Sequence, residues 1–259
     1  MDLVERRIDG RIGTLIMDHH ARRNALSEEL IDAMFVGLEE FRGKGVRAVV
    51  LRARPGVKIW SAGHDVHELP HTRRDPLGYS DPLRRIIRQI AEFPAPVIAL
   101  VEGSVWGGGC ELALACDIIV AVPDVTFALT PAKLGIPYNI TGLLNFMNTI
   151  PLPLLKEMAF SADPVPAERL WQANVLNHLV PADGIEAFTM ALAGRISANA
   201  PLSVTAMKES LRVLAAAHAI SPAGFERLQG VRRIVWDSKD YIEGIEAFLE
   251  KRPPEFTGT

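Results

Sequence analysis

Three short runs constrain the fold of this chain more than anything else in it. Val46 to Leu51, Val97 to Val101 and Ile118 to Val122 are apolar at nearly every position and rich in β-branched residues. A strand of that kind offers no face to water, so it must be covered on both sides. Leu3 to Ile8 and Ile12 to Met17 are apolar-rich as well. They are joined through Asp9-Gly10, a hairpin signal. Ser27 to Phe41 places Leu30, Ile31, Met34, Phe35 and Leu38 at helical spacing, with Ser27 as N-cap and Glu28 and Glu29 in the first turn. The first half therefore reads as a hairpin, a helix, a strand, a loop, a helix, a strand, a helix and a further strand. Alternation of this sort predicts an α/β architecture. No strict repeat is visible.

Past about residue 130 the strand signals fade. Pro166 to Trp171, Ile185 to Ile196, Leu202 to Leu214 and Ser238 to Phe248 carry helical patterns. The break at Asn199-Ala200-Pro201 divides a core, residues 1–200, from a helical region, residues 201–259, expected to cover the core or a neighbouring subunit. The chain has 259 residues and a net charge of −3, so neither a polybasic nor a polyacidic partner is indicated. The start MDLVERRIDG is too charged for a signal peptide. No run of about 18 apolar residues occurs, so no membrane partner is expected and the cytoplasm is the default compartment. Cys110 and Cys116 fall in a segment read as one helix, Gly109 to Ala115. Six residues on a helix separate them by about 9 Å along the axis. That excludes a mutual disulfide, and both read as small buried hydrophobes.

Three segments carry candidate chemistry. The first is Ser61-Ala62-Gly63-His64-Asp65. The second runs from Gly103 to Glu111 through Gly107-Gly108-Gly109. The third runs from Leu129 through Thr130, Pro131, Ala132 and Lys133 to Tyr138. The glycine triplet is expected between a strand ending near Gly103 and a helix beginning near Gly109. Lacking Cβ atoms, it lets a ligand approach the backbone, and unpaired N–H groups at the helix start can face a developing anion. No Lys-Ser/Thr follows, so it is not a nucleotide-binding P-loop, and the spacing is wrong for a dinucleotide fingerprint. Read alone, such a triplet is more often a structural turn. The Gly63-His64 bend is a second possible donor or simply a loop in which Asp65 caps a short helix. Trp106 is either a wall of the pocket or core packing. His67 and the pair His19-His20 lack ligand spacing with carboxylates, so no metal site is expected.

Taken together, the first two segments resemble the crotonase (enoyl-CoA hydratase/isomerase) superfamily over nearly the whole chain. Asn24-Ala25-Leu26 and Cys116-Asp117-Ile118-Ile119-Val120-Ala121 support the likeness. The runs Ser61 to Pro70, Val101 to Gly108, Leu134 to Asn139 and Ala247 to Arg252 resemble more narrowly those members that decarboxylate. The resemblance implies a spiral of ββα turns with a C-terminal helical trimerisation region, as a homotrimer or homohexamer. It implies an acyl-CoA thioester as partner, with no cofactor beyond the coenzyme A of the substrate. The backbone N–H groups of His64 and Gly108 would form the oxyanion hole. Coenzyme A would lie along Arg22, Asn24, Ala25 and Leu26 and the strand end at Ala62, with Lys251 reaching the adenosine end.

Hydration needs two acids, and the resemblance puts them at Glu111 and Ala132. An alanine carries no proton, and Lys133 beside it is expected to point elsewhere. Where hydratases keep small residues this chain has Pro137-Tyr138-Asn139. Tyr138 is then either core packing or a phenol facing the acyl group. Such a phenol stays protonated at neutral pH and can donate to a carboxylate, with Thr130 as a further hydroxyl. These parts predict decarboxylation of a malonyl-type thioester, in which the thioester itself is the electron sink. Two alternatives are a hydratase or isomerase working with Glu111 alone, and a catalytically silent scaffold that binds coenzyme A.

Overall fold

The computed structural model describes residues 3–69, 78–217 and 221–259. Pro70, the last residue of the Ser61 to Pro70 run, lies outside the described residues. Strands β1 (Val4–Asp9) and β2 (Ile12–Met17) form the expected antiparallel hairpin, with Asp9 opposite Ile12. The two-residue strand β3 (Ala25–Leu26) leads into helix α1 (Glu28–Gly43). Ser27 caps α1, its side chain accepting from the Leu30 N–H at 3.3 Å. Leu30, Ile31, Met34, Leu38 and Phe41 are all buried, and side chains of this size contribute roughly 1.5–3 kcal/mol each when fully covered.

Three passes of the chain then obey one rule. A longer strand enters one sheet and a three-residue strand enters another. The pairs are β4 (Ala48–Ala53) with β5 (Ile59–Ser61), then β7 (Val97–Val101) with β8 (Ser104–Trp106), then β9 (Ile118–Ala121) with β10 (Thr126–Ala128). Between the first two pairs lie β6 (Gly63–His64) and α2 (Pro82–Ala91), and between the next two lies α3 (Gly108–Leu114). This is the ββα spiral that the resemblance implied. The long strands build a six-stranded sheet, β1-β2-β4-β7-β9-β12, parallel except at β1. Its last strand is β12 (His178–Leu179). The short strands build a four-stranded sheet, β11-β10-β8-β5, parallel except at β11 (Val165–Pro166). Strand β3 pairs in parallel with β6. Every residue of β4 and β7 is buried, as continuous apolar runs require.

The structure corrects two local expectations. The glycine triplet does not follow directly from the strand that ends at Val101. The short strand β8 intervenes, and three residues are too few to show a period. Helix α3 ends at Leu114, so Cys116 lies beyond it rather than on it. Both cysteines are free and buried.

Helices dominate the rest. They are α4 (Ile140–Thr149), α5 (Leu152–Ser161), α6 (Ala167–Gln172), α7 (Ile185–Ala198), α8 (Pro201–Ala215), α9 (Pro222–Asp237) and α10 (Lys239–Glu250). The expected helix at Pro166 starts one residue later, with Pro166 itself in β11. Lys208 ties α8 to the core by donating to the Ile90 and Ala95 carbonyls and to Asp117. A second, small apolar cluster joins Trp236, Tyr241 and Ile245 to Leu69, with Val66 and Ile136 packed against it. Among the described residues no helix is long and apolar enough to cross a membrane.

Candidate active site

β5, β8 and β10 are neighbours in one sheet and run parallel. Their C-terminal ends must therefore meet at one edge. Those ends lead into Ala62-Gly63-His64, Gly107-Gly108-Gly109, and Leu129 to Tyr138, respectively. The three segments singled out in the sequence are thus brought together by strand direction alone, at the strand ends where open α/β sheets place their ligands.

The first two meet backbone to backbone. Gly63 has φ +90°, a conformation that turns the amide of His64 and that L side chains rarely adopt. A Cβ at Gly63 would stand 2.6 Å from the Trp106 carbonyl oxygen and 2.8 Å from the Gly108 nitrogen. A Cβ at Gly108 would stand 3.2 Å from the His64 nitrogen and 2.8 Å from Leu83 Cδ2. The two amides are therefore adjacent, and the glycines permit it. Gly108 opens α3, so its N–H has no acceptor within the helix. Two neighbouring backbone donors can hold an oxygen on which negative charge develops. The Thr130 hydroxyl closes in over Gly107, 3.0 Å from where a Cβ would be.

A group of side chains gathers around Glu111, on the same helix as Gly108. Glu111 stands one turn into α3 and is buried, 4% exposed. Its carboxylate packs on Gly142, where a Cβ would fall 2.8 Å from Oε1. Burial pushes this carboxyl up to about 7, and Asp81 pushes it the same way, while Arg84, Asn139 and His64 pull it down. Asn139 is buried and caps α4, accepting from the Gly142 N–H at 2.6 Å. Its amide nitrogen lies against Glu111 without meeting hydrogen-bond geometry. The Tyr138 ring packs edge-on to Phe146, with centroids 5.0 Å apart. Its hydroxyl is buried and has no hydrogen-bond partner. Burial raises the phenol well above its ordinary value, and Cys110 and Glu111 add to the effect. Tyr138 is thus a neutral donor with its hydrogen bond unmade.

The His64 imidazole is held between Nδ1 and the Asp65 carbonyl at 3.1 Å and between Nε2 and Asp81 Oδ2 at 3.5 Å. Burial disfavours its charged form, but the Asp81 carboxylate, the Asp65 carbonyl and the Glu68 charge together outweigh burial and the pKa is raised. Asp81 also caps α2, accepting from the Arg84 N–H at 3.3 Å. Asp65 caps the 3-10 turn Val66–Glu68 through His67 N–H, so the bend is a capped turn whose His64 amide stands beside that of Gly108.

The segment expected to hold coenzyme A abuts the same bend. Ala62 N–H donates to the Arg23 carbonyl, and Ala25 and Leu26 pair with Gly63 and His64. Asn24 is buried, 1% exposed, donating to the Trp60 carbonyl and accepting from the His19 N–H. Its side chain shapes the loop. Arg22 donates to Asp65 at 3.0 Å. Lys251 terminates α10 in a left-handed conformation, with nothing among the described residues tying it to this cluster.

A model of one protein family, described as enoyl-CoA hydratase/isomerase, matches residues 7–259. The chain belongs to the enoyl-CoA hydratase/isomerase family. Among its relatives, methylmalonyl-CoA decarboxylase of Escherichia coli (strain K12) is 45% identical over 96% of this chain and 95% of that protein. The 2,3-dehydroadipyl-CoA hydratase of the same strain is 28% identical over 96% of each. A solved structure of methylmalonyl-CoA decarboxylase in complex with 2-nitronate-propionyl-CoA superposes with a TM-score of 0.97. It is 44% identical and covers 99% of both chains. The same enzyme complexed with 2S-carboxypropyl CoA also gives 0.97, at 44% identity, over 100% of this chain and 99% of that one. The narrower likeness of Ser61 to Pro70 and its companion runs thus agrees with the whole-chain comparison.

Within the enoyl-CoA hydratase/isomerase family, the position that resembles the second hydratase glutamate is Ala132, exposed in the 3-10 turn Pro131–Leu134. Lys133 points away to Asp163, 3.2 Å distant, as expected. Trp106 is half-buried and its indole N–H is buried without a partner. Sequence reading missed Asp81, Arg84 and Asn139. An Asp-Pro pair ahead of a helical run was a usable capping signal for Asp81. Nothing in the sequence linked it to His64, seventeen positions earlier. Among the described residues, no group of three or more His, Cys, Asp and Glu is placed to hold a metal ion.

Proposed function

We propose that this chain decarboxylates a malonyl-type CoA thioester, converting methylmalonyl-CoA to propionyl-CoA or malonyl-CoA to acetyl-CoA. The thioester oxygen sits between the His64 and Gly108 N–H groups. The phenol of Tyr138, assisted by Thr130, holds the carboxylate out of the thioester plane, so that the breaking C–C bond overlaps the carbonyl π system. As that bond breaks, carbon dioxide leaves. Its electron pair passes into the thioester and appears as charge on the oxygen facing the two donors, each worth about 3 kcal/mol to such a transition state. A proton then adds to the α-carbon. The thioester supplies the electron sink, so the substrate's own coenzyme A is the one cofactor the reaction calls for.

The observation that carries this reading is the buried hydroxyl of Tyr138, left without a partner on a neutral phenol. A buried donor with no acceptor costs about 1–3 kcal/mol, and a substrate carboxylate would relieve it. The 45% identity to methylmalonyl-CoA decarboxylase supports the same substrate class. A second reading, a hydratase or isomerase using Glu111 alone, is favoured by one fact, a carboxyl pushed to about 7. Incubation with malonyl-, methylmalonyl- and crotonyl-CoA separates them. Release of carbon dioxide from the diacids is the expected result. Hydration of crotonyl-CoA supports the second reading, and inertness with retained binding supports a silent scaffold.

Coenzyme A is proposed to run along Arg22 to Leu26 and Ala62, with Lys251 of a neighbouring subunit at its adenosine end. The helical region 201–259 is the proposed assembly surface of a trimer or hexamer. Leu202 and Leu214 on α8 and Ile234 on α9 are 84%, 72% and 71% exposed, large apolar side chains that an assembly would cover. Sedimentation at micromolar concentration should give a multiple of three subunits, and an active monomer would count against it.

A further inference from the structure

We propose that α10 fixes the place of the Tyr138 phenol relative to the His64 amide, with Gly135 and Gly244 as the positioning residues. The inference rests on the decarboxylase reading above and deepens it.

His64 and Tyr138 stand seventy-four residues apart in the chain, and Gly108 and Tyr138 thirty. Something else must hold their separation, because reacting groups lose about 10²-fold in rate when misplaced by about 1 Å. The small apolar cluster touches the segments that carry His64 and Tyr138. Leu69 and Val66 follow His64 directly in the chain, and Ile136 precedes Tyr138 by two residues. All three pack with Trp236, Tyr241 and Ile245 of α9 and α10. Trp236 and Tyr241 lie edge to face with centroids 4.7 Å apart, which makes the cluster a stiff body rather than a loose one.

The contact on the Tyr138 side is closer than side chains allow. A Cβ on Gly244 of α10 would run into the carbonyl of Leu134. A Cβ on Gly135 would come within 2.5 Å of the Asp240 carbonyl oxygen, and Gly135 holds φ +63°. Backbone therefore lies on backbone at two points, leaving the segment Leu134 to Tyr138 no freedom to move toward α10. The first turn of α10 is fixed in its turn by the last residues of the chain. Thr257 and Gly258 donate their N–H groups to the Asp240 carboxylate, and Lys239 N–H donates to the Thr259 carbonyl. Phe146 on α4 sets the tilt of the Tyr138 ring. The nested glycines set how far the ring stands from the donor bend.

The test is a double-mutant cycle in the full-length protein with methylmalonyl-CoA. Gly244→Ala adds one methyl group and pushes the Leu134 to Tyr138 segment. With a native circular dichroism spectrum and a cooperative melt, it should lose about tenfold in kcat. Propionyl-CoA, which has no carboxylate, should bind it within about twofold of wild type. In a Tyr138→Phe background the same substitution should lower kcat by less than about twofold, because the group it displaces is already gone. Ile245→Val is the milder companion. It should cost kcat about two- to fivefold, again only when Tyr138 is present, and it decides the matter if Gly244→Ala does not fold. Unchanged kcat in folded Gly244→Ala overturns the inference. So does a loss that simply multiplies that of Tyr138→Phe, since that is what a general loosening would give. Wild-type turnover in Tyr138→Phe alone sinks the reading of Tyr138 itself, so the two failures are distinguishable.

Discussion

The two walls of the site are made of different material. The donor wall, Gly63-His64 and Gly107-Gly108, is backbone held at the ends of parallel strands. The facing wall, Glu111, Tyr138 and Asn139, is side chain, carried on a short helix and on the segment between a 3-10 turn and α4. Backbone donors cannot be exchanged by a point mutation, and the proposed reading gives them the one task that every reaction through a thioester enolate needs. Side chains can be exchanged, and on the proposed reading they select which bond breaks. The proposed reading thus assigns the chemistry shared by the family to one wall and the choice of reaction to the other.

That contrast is broken most directly at Gly108. A valine there meets Leu83 and crowds the His64 nitrogen, and its branches fill the place of the thioester oxygen. The Gly108→Val variant should fold and lose kcat by about 10²-fold or more, as loss of one oxyanion donor does. Near-normal turnover would falsify the donor wall as described.

Tyr138→Phe probes the other wall. It keeps the ring against Phe146 and removes a hydrogen bond worth roughly 1.5–3 kcal/mol to a charged group. A fall in kcat of about 10–150-fold is expected, with propionyl-CoA binding nearly unchanged. If decarboxylation continues at the wild-type rate, the phenol is packing and the facing wall does not select the reaction.

The sequence made the donor wall easier to read than the facing wall, and the reason is physical. The strands β4, β7 and β9 are long enough for buried β-branched runs to show, and the runs match their true ends to within two residues. β5, β8 and β10 are three residues each. No periodicity fits in three residues, yet these strands carry the site. The glycines mark both turns as possible donors, because close backbone approach leaves a compositional mark, and the assignment to His64 and Gly108 comes from the resemblance. Tyr138 and Glu111 come from resemblance to a family. Asp81 and Arg84 come from neither, since contacts between α2 and the His64 bend depend on tertiary packing alone. The spiral itself repeats topology without repeating sequence, which is why no internal repeat is visible.

Glu111→Gln sharpens the comparison through pH. Burial raises the Glu111 carboxyl from 4.5 to about 7, so the folded protein holds this proton more tightly than the unfolded chain does. Its contribution to stability is complete below about pH 4.5 and is lost as the pH rises through 7, on the order of 3 kcal/mol across the window. Glutamine cannot ionise, so the variant should gain on the wild type by about that amount between pH 4.5 and 8 in urea unfolding. Ionised Glu111 would also repel a substrate carboxylate. Wild-type kcat/KM should therefore fall several-fold above pH 7, and the variant's should not. A parallel fall in both would mean that Glu111 does not face the substrate.

The smallest effect on turnover is expected from Asp81→Asn, and it separates backbone from side chain within a single residue, His64. Asparagine caps helices about as well as aspartate, so the N–H of Arg84 keeps its acceptor and α2 keeps its start. What disappears is the charge beside His64 Nε2. The imidazole pKa, raised by that carboxylate against the opposing effect of burial, should then drop. In the wild type the stability tied to the raised pKa is fully present below the unfolded value of about 6.5 and is lost as the pH climbs through the folded one. The variant should accordingly be less stable than wild type at pH 6 and converge with it at pH 9 in denaturant unfolding. The His64 N–H, by contrast, does not titrate. Provided the bend keeps its shape through Gly63 and Asp65, kcat should change by less than about threefold, which is under 1 kcal/mol at 1.36 kcal/mol per decade. A kcat that collapses while the melt stays native would place the imidazole among the reacting groups, and the donor wall would then act through a side chain as well as through its amides.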